Sequence, residues 1–112
     1  MKIHLTQNAF LSIYDNWQSE ADSSALMEHI QKDLTLVHNP EAVLREKSCV
    51  IHRDIGFFTD APVDGYRYPG YLVVSQPLTL QLQTILQTVN DFTRSDFNAI
   101  LLNRYNLSLI HI

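Results

Sequence analysis

Two short pairs of side chains carry most of the chemistry this chain can offer. Asn103-x-Tyr105 places an amide and a phenol two residues apart, at the end of the apolar run Phe97-Asn98-Ala99-Ile100-Leu101-Leu102. In a strand alternate side chains share a face, so both groups can donate hydrogen bonds to a single carboxylate. The same spacing also suits two rim residues that satisfy nearby backbone. Tyr66-x-Tyr68 is the second pair, with Arg67 on the opposite face. Two rings on one face can stack on a nucleobase. On spacing alone they better suit a cross-strand aromatic pair that packs a sheet.

The remaining reactive side chains point to less. A non-haem iron site needs two histidines and a carboxylate on one rigid face. His4 lies close to the N-terminus, His29 falls in an expected helix, and His111 has no acid after it. No metal ligand and no catalytic residue is assigned. Cys49 lacks a nucleophile signature and is expected as a buried thiol. Asp60 and Asp64 flank a turn and are expected in solvent.

Composition narrows the class. The 112 residues allow at most one domain, or a piece of a larger one. With 46% hydrophobic and 18% charged residues the chain can build a core. A net charge of -4 and the lack of a basic run disfavour a binder held to nucleic acid by charge alone. A base-reading enzyme remains compatible. The single cysteine excludes an internal disulfide and suits a reduced, cytoplasmic setting. There is no signal-peptide core and no apolar run of the ~20 residues a membrane span needs, so no membrane is expected.

The elements that position these pairs follow from periodicity. Residues 9–14 suit a short strand or a turn into the first helix. Asp22, Ser23 and Ser24 are N-cap candidates, and Leu26, Ile30, Leu34 and Val37 recur at helical spacing, predicting a helix over 23–34. Asn39-Pro40 ends it. Cys49-Val50-Ile51 and Ile55-Gly56-Phe57-Phe58 are short apolar runs. Turn chemistry at 60–65 and at Pro69-Gly70 predicts paired strands over 54–73. After Pro77, the residues Leu78, Leu82, Ile85, Leu86, Val89 and Phe92 line one face of an amphipathic helix over 77–91. Residues 97–105 read as a strand apolar on both faces, either central or covered by a helix. Period two puts Asn103 and Tyr105 on the Leu101 face and Arg104 on the other.

Taken in order, these features resemble the AlkB family of Fe(II)- and 2-oxoglutarate-dependent dioxygenases. The similar run spans 53–106, roughly half the chain. Arg53 stands where the family often has Pro-Arg, here after His52. Phe57-Phe58-Thr59-Asp60 resembles the aromatic stretch that follows. Gly65-Tyr66-Arg67-Tyr68-Pro69-Gly70 resembles Tyr-x-Tyr/Phe-Ser-Gly, with Pro69 for the usual Ser. Phe97-Asn98 through Asn103-Arg104-Tyr105 resembles Phe-Asn-x-x-Leu-x-Asn-x-Tyr closely.

The resemblance implies an α+β chain that forms the N-terminal portion of a double-stranded β-helix, or jelly roll, with two helices packed on an incomplete sheet. It implies that Asn103 and Tyr105 bind 2-oxoglutarate, and that Tyr66 and Tyr68 contact a flipped-out base, with Tyr68 as the stacking platform. In the complete protein the cofactors would be Fe(II) and 2-oxoglutarate. The partner would be alkylated DNA or RNA, demethylated by oxidation for repair. The family's His-x-Asp comes after the Asn-x-Tyr strand, and the chain has none after Tyr105. Its last six residues, Leu107-Ser108-Leu109-Ile110-His111-Ile112, are identical to the in-frame translation of a common sequencing adapter. Residues 1–106 are thus expected to be part of a dioxygenase domain and 107–112 a foreign tail. By itself the chain is expected to be inactive, to bind neither cofactor stably, and to be poorly folded or aggregated, with open sheet edges. The alternative is a small non-catalytic α+β interaction module.

Overall fold

The computed structural model describes residues 1–105, so the expected tail at 107–112 lies outside them. The chain is α+β, with nine strands and two helices among the described residues. It forms two compact units, Met1–Asp33 and a second that begins at Leu34.

The first unit holds an antiparallel hairpin, β1 (Lys2–Thr6) and β2 (Ala9–Ser12), then helix α1 (Glu20–Lys32). Every residue of the hairpin is exposed. The helix starts earlier than Asp22–Ser24 suggested because Ser19 caps it, its hydroxyl accepting from the Asp22 N–H at 3.1 Å. The chain leaves the helix at Asp33, so Leu34 and Val37 do not extend its apolar stripe; Val37 instead enters a strand.

The second unit is built around one strand. β6 (Asp54–Thr59) pairs antiparallel with β9 (Ala99–Arg104) along its whole length, from Asp54↔Arg104 to Thr59↔Ala99. Its other edge takes β3 (Val37–His38) at one end and β8 (Tyr71–Gln76) at the other. β8 pairs in turn with β7 (Gly65–Tyr68). Ile55, Gly56, Phe57, Phe58 and Thr59 are all buried, as a strand enclosed by neighbours on both edges and covered on its faces must be. Centrality thus belongs to β6. β9 pairs with β6 alone among the described residues, and α2 (Leu80–Thr93) lies against it.

The hairpin in this region is β7–β8, closed at Pro69-Gly70, and not a pairing across Asp60–Gly65. Proline pre-sets the first turn position, and Gly70 takes φ 79° at the second, which only glycine adopts without strain. The β6–β8 pairing is parallel, with residues 60–70 and β7 forming the crossover.

α2 begins at Leu80 and not at Pro77, because the Thr79 hydroxyl caps it by accepting from the Leu82 N–H at 3.2 Å. Asp60, expected in solvent alone, accepts from the Leu78 N–H at 3.0 Å and fixes the approach to the helix. Leu82 is fully buried, and Ile85, Leu86 and Val89 are half-buried beside it. Phe92, expected on the same stripe, is exposed.

A separate two-stranded hairpin, β4 (Glu41–Leu44) with β5 (Lys47–Val50), turns through Arg45 and Glu46 at positive φ. Cys49 lies on β5, whose residues are all exposed, so the thiol is free and accessible instead of buried.

Candidate functional site

One face of the main sheet gathers the residues singled out by spacing. Strand alternation puts Ile55 and Phe57 of β6 on the same side as Leu101 and Asn103 of β9, their direct partners. Tyr66 and Tyr68 of β7 stand opposite Val73 and Tyr71 of β8. Ile55, Phe57 and Val73 form the buried core of this face, and Tyr68, Tyr71, Ala99 and Leu101 pack around them.

Three aromatic rings continue from that core toward the edge. Phe57 and Tyr66 have centroids 5.8 Å apart, and Tyr66 meets Tyr68 edge-on at 5.1 Å. These separations lie in the range of favourable aromatic pairs. The Tyr68 phenol then donates to the Asn103 Oδ1 at 3.2 Å. The two pairs that sequence spacing picked out separately therefore meet.

Arg53 joins the last member. It directly precedes β6, next to Asp54, which pairs with Arg104, the residue before Tyr105. Its Nη1 donates to the Tyr105 Oη at 3.3 Å. The guanidinium carbon lies 5.0 Å from the Tyr68 ring centroid and 5.9 Å from that of Tyr105, within the reach of cation–π attraction. Arg53 Nε is buried and has no hydrogen-bond partner among the described residues, a state shared only with Ser75 Oγ. An unmatched buried donor costs roughly 1–3 kcal/mol, more when charged. The arrangement is a set of donors short of an acceptor.

The opposite face holds a group that the sequence reading missed. Asp54 accepts from Arg104 Nε and Nη2 at 2.9 and 2.8 Å and contacts His38 Nδ1 at 2.6 Å. Burial acts to raise the Asp54 pKa. Hydrogen bonds and charge from Arg104 and His38 outweigh it and hold the carboxyl below the usual carboxylate range. This cluster ties β3, β6 and β9 together, and it turns the acid nearest Arg53 in sequence away from the donor face.

One His-x-Asp spacing does occur, at His52-Arg53-Asp54. Asp54 is committed to Arg104 and His38, and His52 is exposed. Among the described residues no group of three His, Cys, Asp or Glu side chains could hold a metal ion. The side chains present do not fit Fe(II), and no step through iron is assigned to them. Arg53, Asn103 and Tyr105 each carry hydrogen-bond donors on this face.

No model of a known protein family matches the chain, and no curated protein matches it either. No helix among the described residues is long and apolar enough to cross a membrane.

Proposed function

We propose that the Tyr66–Tyr68–Asn103–Tyr105 face is the cosubstrate and base-binding face of an AlkB-like, 2-oxoglutarate-dependent dioxygenase domain. In this reading the described sheet is part of a double-stranded β-helix. Asn103 and Tyr105 orient a carboxylate of 2-oxoglutarate by hydrogen bonds. Tyr68, backed edge-on by Tyr66, offers its ring to an alkylated nucleobase lifted from DNA or RNA. Stacking on that ring recovers part of the stacking lost on extrusion. In a complete protein of this type, an iron centre held by residues outside those described would, with O2 as oxidant and 2-oxoglutarate as co-substrate, supply the oxidation of the N-linked methyl group. The described residues contribute binding and orientation only.

The observation that carries the reading is the hydrogen bond from Tyr68 to Asn103. It brings one residue of the aromatic pair to one residue of the amide–phenol pair, which supports reading the two pairs together. A small non-catalytic α+β module remains the competing account. The genomic sequence past codon 106 separates the two. A Gly-containing loop followed by His-x-Asp supports the dioxygenase; a stop codon directly after Asn106 overturns it.

A further inference from the structure

We propose that the Tyr66–Tyr68 platform sorts alkylated bases by charge, taking neutral ones in preference to cationic ones, and that Arg53 sets the choice. The proposal rests on the base-binding reading above and narrows its substrate class. The Arg53 guanidinium carbon lies 5.0 Å from the centroid of the Tyr68 ring, and Tyr66 meets that ring edge-on at 5.1 Å. A base stacked on either tyrosine is therefore close to a fixed positive charge. That charge has no carboxylate partner among the described residues. Asp54, next in sequence, is engaged on the other face by Arg104 and His38. Arg53 is half-buried, and its Nε is buried without a hydrogen-bond partner, so solvent screens it less than a surface arginine. Its Nη1 is already on Tyr105. Arg53 thus acts on a stacked base through its field and not by donating to it.

Alkylation divides bases into two charge classes. A methyl group on a ring nitrogen that has no hydrogen to lose, as in 1-methyladenine or 3-methylcytosine, leaves the base cationic near neutral pH. On an exocyclic amine, or on a ring nitrogen that gives up its hydrogen, as in N6-methyladenine or 3-methyluracil, it leaves the base neutral. A bare aromatic ring attracts a cationic base through its π cloud. Here the guanidinium already draws on that cloud and repels a second positive charge. A neutral base keeps the stacking and escapes the repulsion. Two like charges ~8 Å apart at an effective dielectric near ~20, partly screened by salt, weaken binding roughly tenfold.

Saturation-transfer NMR on the dilute 112-residue chain tests this with two isomers, cationic 1-methyladenosine and neutral N6-methyladenosine. The neutral isomer should bind roughly tenfold more tightly, and Arg53→Gln should bring the two within about twofold. Arg53→Lys keeps the charge and should keep the preference. Equal binding of the isomers to the wild type, or tighter binding of the cation, overturns the proposal and leaves the base-binding reading standing. A preference that persists in Arg53→Gln does the same. A second pair, 3-methylcytidine and 3-methyluridine, separates charge from recognition of the adenine edge; equal binding of that pair overturns charge as the cause. Binding of no probe to the wild type, or binding unchanged in Tyr68→Ala, overturns the base-binding reading and the proposal with it. Circular dichroism monitors folding throughout. Should Arg53→Gln lose its strand signal, Arg53→Lys carries the test, and loss of the preference in that folded variant overturns the proposal.

Discussion

The phenol of Tyr68 donates to the amide oxygen of Asn103 at 3.2 Å, across 35 residues of sequence. This bond joins the tip of hairpin β7–β8 to the end of β9. Between them runs β6, the strand on which the second unit is built. A substitution that moves β6 should therefore disturb both halves of the site together.

Phe58 is 1% exposed on β6, while Leu80 at the start of α2 is 82% exposed. Phe58→Ala should cost about 3–5 kcal/mol, a large share of the ~5–15 kcal/mol that holds a typical domain. Leu80→Ala should change stability by less than about 0.5 kcal/mol. Urea titrations followed by circular dichroism compare the two, and equal midpoints would refute this account of the core.

Asp54 makes stability sensitive to acid. Its pKa in the folded chain lies below the ordinary value of 3.8. Such a group contributes stability above its unfolded pKa, and that contribution is lost as pH falls through the folded pKa. Stability should therefore drop on acidification below about pH 4. Asp54→Asn should lower stability at neutral pH and flatten the acid limb. Urea midpoints measured against pH for both chains test this; parallel curves would mean that the His38–Asp54–Arg104 cluster contributes nothing.

Gly70 closes the β7–β8 turn at φ 79°, and a Cβ there would lie 2.5 Å from the Val43 carbonyl oxygen. That oxygen belongs to β4, whose Val43 N–H also donates to the Gly70 carbonyl at 3.0 Å. Gly70→Ala should destabilise by more than about 1 kcal/mol, through strain and loss of this contact. A thermal midpoint unchanged from wild type would contradict the turn assignment.

Much of the donor face was legible because strand alternation is local. Period two placed Asn103 on the Leu101 side and Arg104 on the other, and the ladder with β6 has that arrangement; Tyr105 lies just past the end of β9. The apolar run at 55–58 marked the strand that proves central. What escaped was set by capping and by distant register. Ser19 and Thr79 start both helices at positions their apolar stripes do not mark. β8 runs past the expected paired-strand region at 54–73, to Gln76, because its last residues pair with β6 and not with the adjacent β7. Asp54, His38 and Arg104 meet only once three strands are aligned, and no spacing in the chain announces that. The place of Arg53 beside Tyr105 also depends on the β6–β9 register, although its position one step before an apolar strand was a usable signal.

Exposed apolar side chains on β4, β5 and β8 should promote self-association. Val43, Val50 and Val74 are 59%, 44% and 64% exposed. Among the described residues, β7 and β9 each have a strand partner on one edge only. Unpaired edges beside apolar surface favour contact with other chains. Light scattering across a dilution series should show apparent mass rising with concentration. A constant monomer mass at high concentration would contradict this.

The most direct test of the site asks where 2-oxoglutarate touches the chain. Intermolecular nuclear Overhauser effects between its methylene protons and tyrosine rings labelled in the protein report that contact. The account predicts effects to Tyr105 that vanish in Asn103→Ala. Effects confined to Tyr14 of the first unit, or effects to Tyr105 that persist unchanged in Asn103→Ala, would contradict it.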